Sequence, residues 1–552
     1  MKSGIKNHLV NIILPSVVLS AIVGVITGVV VYLFRLVSEE VIQLSAAIFA
    51  YAGDHTWAIP LVVLGAVLIA AIVAISIRFS PHARGGGIPT AVALMRGLIT
   101  FRWLRNLIFV FVSALFSYLC GIPLGNDEGP AVQMGTAIGS GTTRLFAKRH
   151  QGWERYLMTG GATAGFATAT CAPVAAVMFG LEEAHRRITP LLLMSSITSV
   201  ISGMSVLHGL CYFSGHPELR YLFHFESVGA LSLSRIWVVL PIALLCGFGA
   251  YLLAKLTHLI RTGSHKWLSK LHPFFKLAPI FALVALLGCF FYDYHLIGTG
   301  HHLIEYLIGH REVWWMALIL LFARALLVVL SNEVGATGGL FTPLLVFGAL
   351  IGSLCGEAMI ALGWLDPTFF PLMVVVGMAS FFSSSVRTPL TAMIFAIEVF
   401  GGFDNILPIF LAIVISYVIV ETIGVTSINE IAMEREIHKQ HHGKTRRAVD
   451  VELTVLPGCF AIGKEPRDIL WPAFCHVLSV RKGGDVKDSY EGGAIRENDI
   501  LRLNFTTMDA EATAAELCAI LGEQDVYANA HITQAKPQRR VLQERKGETE
   551  NA

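Results

Sequence analysis

The sequence predicts an all-α polytopic membrane protein with broken helices and an internal repeat, followed by a small α/β domain. Three observations predict it. Of 552 residues, 54% are hydrophobic and only 14% charged, where a soluble domain carries about 25% charged residues. Gly/Pro breaks interrupt the apolar runs at Gly85-Gly86-Gly87-Ile88-Pro89, Gly125-Asn126-Asp127-Glu128-Gly129-Pro130 and Gly338-Gly339-Leu340-Phe341-Thr342-Pro343. The composition then turns polar and basic near Lys439, in Gln440-His441-His442-Gly443-Lys444-Thr445-Arg446-Arg447.

The first apolar run, 9–34, is too long for a signal-peptide core and lacks a cleavage site, so it reads as a retained span. Lys2 and Lys6 ahead of it favour a cytoplasmic N-terminus. Further long runs cover 59–77, 236–256, 277–291 and 407–423. Shorter runs at 88–98, 130–143 and 341–355 follow the three breaks. Runs of about 10–14 residues are too short to cross a bilayer alone. A net charge of +2 argues against nucleic-acid binding as the main task. The nine cysteines include no C-x-x-C pair and read as small core residues.

An internal repeat runs through the apolar part. Ala172-Pro173-Val174-Ala175-Ala176-Val177-Met178-Phe179-Gly180-Leu181-Glu182 matches Thr388-Pro389-Leu390-Thr391-Ala392-Met393-Ile394-Phe395-Ala396-Ile397-Glu398 at an offset of 216 (388 − 172), and Pro130 matches Pro343 at 213 (343 − 130). Two near-equal offsets indicate homologous halves, about 10–210 and 235–437, inside a transmembrane domain spanning 1–440. Paired short segments in two halves mark a site at their interface. Residues 441–449 read as a linker. Residues 450–525 read as an α/β module with strands at 451–456, 476–480 and 500–504 and a helix at 510–521 capped by Asp509. Residues 526–552 read as a charged, disordered tail.

A helix that starts inside a membrane leaves its first N–H groups unpaired and turns its positive dipole end inward. Such breaks occur only where they line a cavity, and the natural occupant is an anion. Glu128 places an acid at that position, where it blocks the path when ionised and releases it when protonated or displaced. Acids within membrane segments default to function. Leu340 and Phe341 are the expected backbone donors, because Pro89 and Pro343 have no N–H. Glu182 and Glu183 end an apolar run, and one of them is a candidate to pass protons on the cytoplasmic side. Glu398, the repeat partner of Glu182, receives no role. His301, His302 and Glu305 lack further ligands and read as a solvated loop rather than a metal site. Arg324 is expected to face the bundle or pair with an acid. No nucleophile–base pair accompanies Glu128 or His302, so the chain reads as neither an enzyme nor a cofactor protein.

These motifs, in order and spacing over 10–437, resemble the CLC family of chloride channels and proton-coupled anion antiporters. Gly85–Pro89 resembles the family's G-S-G-I-P, Gly125–Pro130 its G-R-E-G-P, and Gly339–Pro343 its G-x-F-x-P. The resemblance implies two inverted repeats, a homodimer in the cell membrane, and Glu128 as the external gating glutamate. It implies Glu183 as the internal proton glutamate. It implies an anion site lined by Gly86, Gly87, Ile88, Gly129, Leu340, Phe341 and Asn429, with chloride, protons and lipid as partners. Gly86 replaces the family serine, and Asn429 falls near its pore tyrosine. The glutamate motif has one extra residue, and Asp127 adds a second negative charge to it. Such departures also occur in the fluoride-transporting branch, whereas Glu183 favours proton exchange over passive conduction. From Gly463-Lys464 to Arg502 the module resembles the TrkA-C domain of potassium-conductance regulators, which implies a cytoplasmic sensing or dimerising role.

Overall fold

The computed structural model describes residues 14–146, 148–223, 229–268, 271–291, 295–401, 404–441, 446–482, 493–528 and 530–534. Lys2, Lys6 and positions 9–13 of the expected first span therefore lie outside the described residues, as do 442–445 of the linker and 535–552 of the tail.

The helices of the first half are α1 Leu14–Asp54, α2 Ile59–Phe79, α3 Ile88–Met95, α4 Trp103–Leu119, α5 Glu128–Phe146, α6 Glu154–Thr170, α7 Pro173–Phe179 and α8 Pro190–Ser214. The second half contains α9 Val239–Leu268, α10 Pro273–Phe291, α11 His301–Gly309, α12 Trp314–Val334, α13 Phe341–Ala361, α14 Phe370–Val386, α15 Pro389–Phe400, α16 Ile406–Ile423 and α17 Ile428–Gln440. Among the described residues, nine helices are long and apolar enough to cross a membrane. The 41-residue α1 outruns the expected first span, and α13, expected to be too short, is a full 21-residue candidate span. In α2, Leu61, Leu64 and Leu68 are exposed while Ala66, Ala70 and Ala74 are buried. One small-residue stripe thus packs inward and one leucine stripe faces outward, as expected of a lipid-facing helix.

The repeat is carried by backbone geometry. Helix α6 precedes α14 by 216 residues at both ends (370 − 154 and 386 − 170). Both helices end on a left-handed C-cap, Cys171 at φ 56° and Arg387 at φ 66°, again 216 apart. In each half the helix is crossed through glycine by the one before it. A Cβ at Gly135 would stand 2.0 Å from the Gly161 carbonyl oxygen, and one at Gly348 would stand 2.3 Å from that of Gly377. Larger residues at these crossings would force the helices apart.

Glutamates tie the halves together reciprocally. The Glu182 carboxylate accepts from the N–H groups of Leu390 at 3.0 Å and Thr391 at 2.7 Å, capping α15. The Glu398 carboxylate accepts from Val174 and Ala175, both at 2.8 Å, capping α7. These are charge-assisted bonds to the positive ends of two helices. Glu398, given no role from sequence, therefore has a structural one, and Glu182 is engaged in the same way.

The C-terminal module is a four-stranded antiparallel sheet of β1 Arg447–Thr454, β2 Cys475–Arg481, β3 Ile500–Thr507 and β4 His531–Gln534, in the order β2-β3-β1-β4. Helix α18, Ala510–Leu521, packs Leu517 and Leu521 against Val449, Val451, Leu501, Leu503 and Phe505. Asp509 caps it through Ala512 N–H at 3.2 Å. The module exceeds the expected 450–525: β1 begins within the supposed linker, and β4 lies in the supposed tail, paired with β1. Short β4 carries no hydrophobic run for a sequence reading to find.

The module docks on the helical body. The Tyr156 hydroxyl donates to Asp468 O at 2.8 Å and accepts from Leu470 N–H at 2.9 Å. Arg155 donates to Trp471 O, donates to Arg96 O at 2.7 Å, and pairs with Glu516 at 3.2 Å. The Phe460 ring meets Trp153 edge-on at 5.1 Å, with the Lys464 ammonium 3.6 Å from the Phe460 ring centre.

Two predictions follow from these contacts. Glu398→Ala leaves two N–H groups of α7 uncapped and should cost about 1.5–3 kcal/mol, the range for bonds to a charged group, read as a lower Tm in detergent. Burial pushes the Lys464 ammonium down to about 8 from 10.5. Between those values the unfolded chain holds the proton that the folded one releases, so stability rises with pH across that window. Lys464→Met should flatten that part of the Tm–pH curve, and parallel curves for the two proteins would refute it.

Candidate ion site

The three breaks meet. Gly125 N–H donates to Gly339 O at 2.5 Å, and Gly339 N–H donates back to Gly125 O at 3.1 Å. Gly338 N–H donates to Gly85 O at 3.3 Å, and Gly85 bridges Thr337. The first residues of α3, α5 and α13 are thereby brought to one place, held by backbone bonds that need no side chain. Glycine is required at the crossing. Gly87 has φ 73° and ψ −64°, which closes a turn in which Ile88 N–H donates to Gly86 O at 2.8 Å. A Cβ on Gly129 would stand 2.5 Å from Gly86 O and 2.6 Å from Gly339 Cα.

Glu128 is the first residue of α5 and is buried at 2% exposure. Its Oε1 accepts from the Thr342 hydroxyl at 2.9 Å, and its Oε2 has no hydrogen-bond partner among the described residues. Thr342 belongs to the first turn of α13, where the backbone N–H groups have no intrahelical acceptor. The carboxylate thus lies across the positive end of a second helix while beginning its own. Thr342 was not singled out from sequence, although a hydroxyl beside Phe341 in a break was the available signal. Asp127 turns the other way, its Oδ1 accepting from the Ser38 hydroxyl of α1 at 2.7 Å.

Beyond Phe341 lies a small cavity lined by Ile88, Leu340, Phe341, Phe382, Glu183 and Asn429 among others. The Phe341 ring is wedged edge-on among Phe166, Phe382 and Phe395, with centroids 5.2, 4.8 and 5.1 Å away. Glu183 and Asn429, separate expectations from sequence, touch: Asn429 Nδ2 donates to Glu183 Oε1. Of the expected anion-site residues, Ile88, Leu340, Phe341 and Asn429 line this cavity. Gly86, Gly87 and Gly129 form the crossing beside it, and the Ile88 amide is engaged within the turn.

Glu183 lies in a π-helical turn, Gly180–His185. Arg96 fixes that turn, donating to the carbonyls of Glu183 and Ala184, both at 2.7 Å. From Glu183 a cleft opens between Arg96, Arg186, Arg387 and Glu430. Its three guanidinium groups face three carboxylates, Glu182, Glu183 and Glu430, and Arg186 pairs with Glu430 at 2.5 Å, so the lining is charged but balanced. These arginines are scattered through the sequence, and only the fold gathers them.

A family model of the voltage gated chloride channel matches residues 65–421. The chain belongs to the CLC family. A relative, the H(+)/Cl(-) exchange transporter ClcA of Yersinia pestis bv. Antiqua (strain Angola), is 26% identical over 444 residues, covering 77% of this chain and 89% of the relative. The ClcA of Klebsiella pneumoniae subsp. pneumoniae is 27% identical over 446 residues, covering 78% and 90%. Among solved structures, a slow cyanobacterial Cl−/H+ antiporter aligns at TM-score 0.69 and 25% identity, covering 77% of this CLC chain and 99% of the antiporter. A CLC-type fluoride/proton antiporter aligns at TM-score 0.58 and 22% identity over 74% and 95% of the chains, which shows the shared fold.

The crossing at Gly129 predicts a sharp outcome. Gly129→Ala has no space for its methyl and should reduce anion flux in proteoliposomes at least tenfold; near wild-type flux would show that the crossing tolerates separation.

Proposed function

We propose that this CLC chain exchanges a small anion, chloride first, for protons across the cell membrane. Glu128 is gate and proton carrier, and Glu183 passes protons on the cytoplasmic side. The observation that carries this reading is the Glu128 carboxylate hydrogen-bonded at the start of α13, a position an anion would occupy. Glu183 supports it, lying across the Phe341 cavity at the head of the arginine-lined cleft. A single bound anion and a carboxylate cannot share one set of donors, so protonating Glu128 frees them. The reading includes a homodimer and a cytoplasmic C-terminal module of TrkA-C type. Its docking beside Arg96 and Arg155 puts it on the Glu183 side.

Chloride-driven proton uptake into proteoliposomes tests the mechanism. Glu128→Gln should carry chloride without protons. Glu183→Gln should keep chloride flux and lose at least nine-tenths of the proton flux, and normal coupling in that variant would overturn its role. Fluoride is the second reading, because Gly86 and Asn429 supply no hydroxyl to the site. Flux compared for chloride, fluoride and nitrate under one proton gradient decides between them.

A further inference from the structure

A second cavity lies at the opposite end of the bundle from the module. Helix α5 runs from Glu128 to Phe146, next to the segment whose Trp153 meets the module. Its 19 residues span about 28 Å at 1.5 Å per residue. The cavity flanks the Glu128 end. It encloses about 260 Å³ and is lined by Ser45, Tyr118, Thr299, His302, Leu303 and Arg324, among others. It connects to the second break, because Tyr118 donates to Asn126 O at 2.7 Å and Gly298 N–H donates to Gly121 O at 2.8 Å.

Arg324 is the unusual member. It is 1% exposed, facing the bundle as one of its two expected fates, and no acid pairs with it among the described residues. Its Nη1 donates to His295 O at 2.6 Å and Ile297 O at 3.1 Å, and its Nη2 donates to Gly298 O at 2.8 Å. Nε has no hydrogen-bond partner among the described residues. The Gly298-Thr299-Gly300 turn wraps the guanidinium closely: Gly300 sits at φ 93°, and a Cβ there would stand 2.8 Å from Nη2. Carbonyl dipoles hold the group in place but do not neutralise it. No carboxylate pairs with it among the described residues; Glu305 on α11 faces His301 at 3.5 Å and His302 at 3.8 Å. A buried charge without a counter-charge is costly. Further unused donors border the same space, since neither Ser45 nor Thr299 makes a side-chain hydrogen bond among the described residues.

We propose that this cavity binds a small monovalent anion, with Arg324 as its counter-charge and the Ser45 and Thr299 hydroxyls as further donors. The volume exceeds that of a bare halide several-fold, so the anion keeps part of its water shell. The site is separate from the helix starts that surround Glu128. Its place beside the Asn126-Asp127-Glu128 break makes it a staging point, where one positive charge offsets the local acids for an approaching anion. That second role rests on the transport reading; the binding site does not.

Anomalous diffraction from crystals of the full chain grown in bromide tests the site directly. A bromide peak is expected in the cavity of the wild type and should be absent in Arg324→Gln. Thr299→Val with Ser45→Ala keeps the guanidinium and should reduce the occupancy, which decides the matter if Arg324→Gln fails to fold. A wild-type cavity without bromide, or an undiminished peak in both variants, would overturn the proposal. In proteoliposomes, Arg324→Gln should raise the KM for chloride on that side at least threefold with the chloride-to-proton ratio unchanged. An unchanged KM with the bromide peak present would remove the staging role alone, and absence of any flux would count against the transport reading rather than the site.

Discussion

Backbone hydrogen bonding between three interrupted helices is the constraint on which the rest of this structure depends. The Gly125–Gly339 pair and the Gly85–Gly338 bond give unpaired peptide groups a partner inside a membrane, where an unsatisfied one costs several kcal/mol. They also bring the starts of α3, α5 and α13 together. The placement of Glu128 and of the Phe341 cavity follows from that meeting, and converging helix starts concentrate partial positive charge there without a fixed cation. Under the proposed reading, partial charges of this kind would hold an anion less tightly than a lysine or arginine would.

The two halves are joined as well as repeated. Each contributes a glycine-mediated helix crossing, a left-handed cap and a glutamate that caps a helix of the other half. Glu182 therefore serves the frame while Glu183, one residue on, faces the cavity. Adjacent residues of a helical turn point to different faces, which separates the two carboxylates, and Arg96 holds this π-helical turn by its carbonyls. The link from Arg96 through Arg155 to Glu516 and Trp471 places the C-terminal module one residue away from that turn's anchor.

Much of the fold was legible in the sequence because the breaks are written in glycine and proline, whose backbone restrictions do not depend on context. The repeat was legible for the same reason. The parts that escaped are those created by packing. Thr342 gained its role only when α13 met α5, the cleft arginines come from three distant segments, and Glu398 reads as an ordinary helix acid until α7 lies beside it. Arg324 faces the bundle, one of its two expected fates, and there it binds carbonyls rather than an acid, since the turn that wraps it is set by positive φ angles at Gly298 and Gly300. Strand β4 was missed because four residues with a single apolar member, Ile532, carry no periodic signal, and pairing with β1 alone makes them a strand.

The competition between carboxylate and anion for one set of donors is most directly tested by bromide difference diffraction of wild type against Glu128→Ala. Removing the carboxylate should admit a bromide beside the Thr342 hydroxyl and the first amides of α13. An empty position there, with the helix starts unmoved, would contradict it.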